Sequence, residues 1–268
     1  MRIKNHIILY LFSLATIGFI SSCEKVINVN IAGMNKKYVI EGQITDNANS
    51  VRINLSETID IADSNKFNGI ENAEMTITEN NGRPVPLTHS GGGIYRANVT
   101  GKPGNTYKLT VKVDGQTFTS VSTMPQKALL DTLYITERVF FGRTRKLATV
   151  EFHDPPGLGN AYRFIQYIDG RKENTIFILD DKLLDGRKVI YELIIFGDAE
   201  YTLKTDDQLR VEMRCIDMAA YNFWYSLTQG ALGQSQSASP GNPISNITGG
   251  AIGYFSAQTF EAKNIAVK

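Results

Sequence analysis

The chain has 268 residues, with 28 Lys and Arg against 27 Asp and Glu and a formal net charge of +1. That balance gives no electrostatic footprint for nucleic acid. Two cysteines exclude a disulfide-dense scaffold.

At the start, Arg2 and Lys4 precede an apolar run from Ile7 to Ile20. A spanning helix needs about 20 apolar residues, so this run is too short for a stable membrane anchor. A positive start, a short apolar core and small residues at its end describe a secretory signal peptide over residues 1–22. The boundary Ile20-Ser21-Ser22-Cys23 resembles the lipobox of bacterial lipoproteins. That resemblance implies cleavage before Cys23 and diacylglycerol attachment to its thiol. Acyl chains contribute about 0.8 kcal/mol per buried CH₂, enough to hold a protein on a membrane without a transmembrane helix. Loss of residues 1–22 removes two cations and no anion, so the net charge moves from +1 to −1.

Residues 23–36 read as a tether. From Tyr38 the dominant signal is period two: "KYVIEGQIT", "VRINLSET", "AEMTITEN", "IYRANVT", "YKLTVKVDG" and "TFTSVSTM". Alternating runs rich in Val, Ile, Thr and Tyr predict half-buried strands. Asn81-Gly82 and Asp114-Gly115 predict hairpin turns with positive φ. About seven short strands with regular turns predict an immunoglobulin-like sandwich over residues 37–125, with Tyr107 as a candidate tyrosine-corner residue.

Met124-Pro125 closes that unit, because proline interrupts a sheet ladder. Residues 126–268 predict a second β-rich domain. Strands are read in "TLYITERVFF", "KLATVEFHD", "AYRFIQYIDG", "NTIFILDD", "YELIIFG", "DQLRVEMRCI" and "GAIGYFSAQTF". One segment has helical spacing. Asp217 is its N-cap, Ala220, Phe223, Trp224 and Leu227 form its apolar stripe, and Gly230 ends it. The polar stretch "GQSQSASPGNP" predicts an exposed loop.

The lipobox, "YVIEGQIT", "GGGIYRANVTGKPGNTYKLTVKVDGQTFTSVSTMP", "FHDPPGLGNAYRF", "YNFWYSL" and "GNPISNITGGAIGYFSA" follow one another in an order that resembles Bacteroidota lipoproteins of the domain of unknown function 4249 family. The resemblance covers nearly all of the mature chain and matches least between Arg171 and Thr205. It implies an outer-membrane lipoprotein often encoded beside a TonB-dependent transporter. The one role it carries onto this sequence is lipid attachment at Cys23. Glycines 249, 250 and 253 in the terminal block have a structural reading, a tight turn and close backbone approach.

Few residues suggest catalysis. His153-Asp154 is the most tempting pair, but neighbours on a strand face opposite ways, and Asp154-Pro155-Pro156-Gly157 is a turn in which Asp bonds its own backbone. His89 precedes Ser90 and three glycines, as in a loop tip. The chain holds no G-x-S-x-G, H-E-x-x-H, C-x-x-C or P-loop motif. Too few His and Cys remain for a zinc site, and no cofactor is implied. Asp180, Asp181 and Asp185, with Asp60 and Asp63, are acidic candidates for acid/base work or calcium, though neither run has EF-hand spacing. Solvated charge is the simpler reading of both. Cys215, in an alternating apolar stretch, reads as a buried small hydrophobe, with Arg214 on the opposite face. The sequon at Asn246 carries little weight in a bacterial lipoprotein. The aromatic cluster "YNFWYSL" reads as core ahead of a sugar platform. In "ERVFFGRTRK", one of Phe140 and Phe141 faces outward beside Arg143, Arg145 and Lys146, either as an interface edge or as a covered hairpin end.

Three readings follow, in this order. The first is a non-enzymatic, lipid-anchored binding or accessory protein of the outer membrane, partnering a TonB-dependent transporter in nutrient uptake. The second is a structural or assembly component of an envelope complex. The third is a glycan hydrolase with unidentified carboxylates. Glu24 followed by Lys25 leaves both faces of the outer membrane open.

Overall fold

The computed structural model describes residues 36–59, 68–195, 203–230 and 241–268. They belong to one compact unit, Lys36–Lys268. The chain is mainly β, as the period-two pattern predicts, and one helix occurs among the described residues.

Before Pro125 come β1 (Tyr38–Thr45), β2 (Val51–Glu57), β3 (Glu74–Glu79), β4 (Val85–Pro86), β5 (Thr88–His89), β6 (Ile94–Ala97), β7 (Thr106–Val113) and β8 (Gln116–Thr123). One sheet runs β1-β2-β6-β5 and the other β4-β3-β7-β8. Alternate residues of both sheets, among them Ile40, Ile53, Leu109 and Phe118, meet in one buried cluster. The β7–β8 hairpin turns at Asp114-Gly115, where both φ values are positive (46° and 75°), as a two-residue type I′ turn requires. At the other predicted hairpin the left-handed residue is Asn80 (φ 50°), one position before the expected Asn81. Proline on both sides of Val85 then holds β4 to two residues, because proline cannot donate to a ladder. Tyr107 is fully buried. Its hydroxyl accepts from the Lys102 backbone N–H at 2.7 Å, the upstream contact of a tyrosine corner.

After Pro125, β9 (Leu130–Phe140), β10 (Arg143–His153) and β14 (Lys188–Leu193) form a three-stranded sheet. A second sheet holds β11 (Ala161–Ile168), β12 (Arg171–Lys172), β13 (Phe177–Asp180), β15 (Gln208–Ile216) and β17 (Glu261–Ala266). Phe152, Phe164, Val211 and Cys215 belong to the cluster these sheets share. Helix α1 (Met218–Gly230) is capped as predicted: Ala220 N–H donates to Asp217 Oδ1 at 2.8 Å. It buries Ala220, Phe223 and Trp224.

One strand crosses from the later stretch of the chain to the first sheet. β16 (Ile252–Gln258) pairs parallel to β1, with Gly253 opposite Ile40. A Cβ on Gly253 would lie 1.9 Å from the Ile40 carbonyl oxygen, so only glycine permits this approach. Asn246 bonds both the Phe255 carbonyl (2.8 Å) and the Phe255 N–H (2.9 Å), tying the preceding loop to the strand. The stretch 126–268 therefore does not keep to itself. Its β16 completes the sheet of β1 and β2 before β17 returns to β15. Local alternation predicts a strand here, but nothing in it names a partner more than 200 residues away.

Candidate functional site

The β16 crossing brings two sheet faces together, and the site is built on them. β11 is buried at six consecutive positions, Ala161 to Gln166. Tyr162 and Phe164 enter the shared core, and the residues between them lie on the opposite face. On that face Arg163 stands directly opposite Arg214 of β15. Like charges opposed across a ladder are destabilising, and here each arginine is only 8% exposed.

Their neutralisation is incomplete. Glu212 accepts from Arg214 Nη2 at 2.6 Å and also from Arg210 Nη2 at 3.1 Å. Arg163 Nε, Arg214 Nε and Arg214 Nη1 are buried without a hydrogen-bond partner among the described residues. The Arg163 guanidinium stacks on Trp224, with Cζ 3.4 Å from the ring centroid, and Tyr254 lines the same space. Burial, with Arg214 beside it, holds the Arg163 pKa below its ordinary value.

These side chains line a cleft of about 390 Å³. Across it lie outward-facing residues of the other sheet: Glu41 and Gln43 from β1, Arg52 and Asn54 from β2. Lys172 joins from β12 at the rim, returned beside Tyr167 by a turn at Asp169-Gly170 with positive φ at both residues. Partial burial and Arg163 hold the Lys172 ammonium below its ordinary pKa. The lining thus carries four cations, Arg52, Arg163, Lys172 and Arg214, and one carboxylate, Glu41. Tyr167 also lines a neighbouring cleft of about 460 Å³ with Arg210 and Asn264.

A different cavity, of about 360 Å³, lies beside α1 and is lined by Tyr191, Tyr221 and Tyr225. Tyr221 and Tyr225 stack at 5.9 Å. The "YNFWYSL" segment is therefore divided: Phe223 and Trp224 are core, while the tyrosines face a cavity.

The other sequence candidates do not converge. Cys23, Asp60 and Asp63 lie outside the described residues. His153 is exposed, with Nδ1 2.7 Å from Asp131 Oδ2, and does not engage its neighbour Asp154. Asp154 is buried and accepts from the Tyr162 hydroxyl and from Gly186 N–H at 3.0 Å. That corrects the expectation of a self-bonded turn, because residues distant in sequence fold over this aspartate. His89 sits on β5, half-buried with its ring 5.1 Å from Tyr95, and is not a solvated loop tip. Asp181 and Asp185 accept from the backbone N–H groups of Asn160 (2.8 Å) and Gly157 (2.6 Å), while Asp180 pairs with Lys182. The first two brace a loop. No group of three or more metal-ligating side chains occurs among the described residues. Cys215 is buried and burial pushes its thiol pKa up, opposite to what a nucleophile needs. Phe141 is the outward member of its pair, fully exposed at the β9–β10 tip, and Phe140 is half-buried near Arg145.

The family described as Domain of unknown function (DUF4249) matches residues 24–264. The chain belongs to this family. The resemblance read from the order of sequence blocks is thereby borne out. No curated protein matches this DUF4249 chain. A solved structure titled "Cytokine receptor complex - Crystal form 1A" is similar over 85% of this chain and 95% of its own, at 10% identity and a TM-score of 0.25. No helix among the described residues is long and apolar enough to cross a membrane.

Sequence reasoning missed Arg163 and Arg214 in this DUF4249 protein. The available signal was arginine on the polar phase of two strands, "YRFIQY" and "RVEMRC". Period two assigns those positions to solvent, whereas Trp224 of α1 covers Arg163 and Phe260, just after β16, lies against Arg214.

Proposed function

We propose that this DUF4249 protein acts by binding, as a lipid-anchored accessory protein of the outer membrane that partners a TonB-dependent transporter in nutrient uptake. The observation that carries the binding role is the charged cleft beside β16. Its volume of about 390 Å³ falls within the roughly 300–1,000 Å³ usual for small-ligand sites. The anchor at Cys23 and the transporter partnership extend what the lipobox and family resemblance imply.

The test is purification of the native protein from membranes in mild detergent, with Cys23→Ala as control. A stoichiometric TonB-dependent transporter with the native protein, and loss of membrane association in the control, supports the proposal. Recovery alone, with the lipid intact, overturns the partnership. A second reading, a structural component of an envelope complex, draws on the exposed Phe141 at the β9–β10 tip. Recovery of assembly machinery in place of a transporter supports that reading.

A further inference from the structure

We propose that the cleft between β1–β2 and β11–β15 is a binding site for a small organic anion bearing a carboxylate or phosphate group, held by Arg163 and Arg214 with Lys172 and Arg52 at its mouth. This names the ligand class of the binding role above and rests on that role for its place in the cell.

Two guanidinium groups face each other across a ladder, both more than nine-tenths buried. Removing a charge from water costs several kcal/mol unless it is paired. Glu212 bonds Arg214 of the pair and is shared with Arg210. Three guanidinium nitrogens have no partner among the described residues, although buried polar groups are ordinarily satisfied. A site built for stability alone has a cheaper solution, since apolar residues of similar volume are often as good or better.

Geometry supplies the rest. Stacking on Trp224 covers one face of Arg163 and leaves the edge, where the N–H donors lie, for in-plane contacts. That edge is the part of arginine that matches the paired oxygens of a carboxylate or phosphate. Four cations against one carboxylate line one concave space, and a cleft with such an excess of one sign concentrates the oppositely charged solute. Glu41 and Asn54, neighbours across the β1–β2 ladder on the facing wall, are suited to hydroxyl or amine groups of the same molecule. The volume suits a molecule of sugar-acid or small polycarboxylate size and not a polymer.

The experiment is thermal unfolding of the full-length purified protein with inorganic phosphate, citrate or glucuronate, each against sodium chloride at equal ionic strength. We expect at least one anion to raise Tm saturably, by about 3 °C or more at concentrations well above its Kd. Phosphate against the two carboxylates separates the two chemistries. Arg163→Met keeps volume over Trp224 and weakens that response at least tenfold, while Tm without anion stays level or rises. A purely structural arginine would instead lower Tm. Lys172→Gln and Arg52→Gln, both at exposed positions, are the variants that decide if Arg163→Met fails to fold, and each weakens binding several-fold. The proposal is overturned if every anion tracks the salt control, if these variants keep the full response, or if only a polymer such as heparin stabilises. Because the titration uses isolated protein, its failure is distinct from failure to recover a transporter.

Discussion

Strands β7 and β11 are both eight residues long, and they are buried differently. β7 alternates, with Tyr107, Leu109, Val111 and Val113 inside and Lys108 and Lys112 in solvent. β11 is buried on both faces for six residues, and its second face carries Arg163. Alternation in β7 describes a sheet with water on one side. In β11 the polar phase is covered as well, by Trp224 of the helix and Tyr254 of β16. Charge placed where a strand expects water, and then covered, is where a binding site is to be sought.

The largest effects should come where the two strands agree. Phe164 and Leu109 are both about 1% exposed in their clusters. Phe164→Ala should cost about 3–5 kcal/mol and Leu109→Ala about 2–5 kcal/mol, read from urea unfolding. A loss under about 1 kcal/mol at either site would show that its core collapses around the gap, and the two inward faces could no longer be treated as equivalent.

The outward faces should then diverge. Lys108→Met changes an exposed position and should stay within about 0.5 kcal/mol. Arg163→Met, in dilute buffer free of carboxylates and phosphate, should raise stability by about 1–3 kcal/mol, because it relieves a buried like-charge pair. If it instead costs several kcal/mol, the arginine is fully compensated in the fold and the contrast between the strands disappears.

A smaller effect sits at the start of β7. Tyr107→Phe removes the acceptor of Lys102 N–H and a 3.3 Å bond to Glu79, so it should cost about 1–2 kcal/mol. Burial pushes the Glu79 carboxyl up, but hydrogen bonds from Asn105 and Lys102, with a lesser one from Tyr107, outweigh it and leave its pKa lowered. A lowered carboxyl contributes stability that is complete above its unfolded value and lost as pH falls through the folded one. In Tyr107→Phe the folded value moves back toward the unfolded one, so that acid loss should be smaller and end at a higher pH. An acid transition that coincides with the native protein's would mean the tyrosine does not support Glu79.

Much of this architecture was legible in the sequence, for a local reason. β7, β8 and the Asp114-Gly115 turn are specified by residues within one hairpin, as is the helix with its Asp217 cap and its Phe223 and Trp224 face. The site was not legible, because it depends on pairings remote in sequence. β16 reaches β1 across more than 200 residues, and Arg163 meets Arg214 across about 50. Asp154 and Asp181 misled for a related reason: Gly186 and Asn160, which bond them, lie 32 and 21 residues away. The glycine at 253 held a clue, since a glycine in a strand interior marks close approach of another backbone, but it does not say which one.

The smallest effect concerns the β9–β10 tip, where the sequence left two readings open. Phe141 is fully exposed and has φ 49°, followed by Gly142 at φ 76°. A bulky side chain in the left-handed region costs about 1–2 kcal/mol, and glycine there costs nothing sterically, although it loses more chain entropy. Phe141→Gly should therefore raise stability by about 0.5–1 kcal/mol. A fall in stability would show that the ring packs against the fold, as at a covered hairpin end. A gain accompanied by loss of whatever protein co-purifies with the native chain would give the strained aromatic a use that the isolated fold does not require. That combination would set this tip beside β11, as a second place where stability is given up for contact with another molecule.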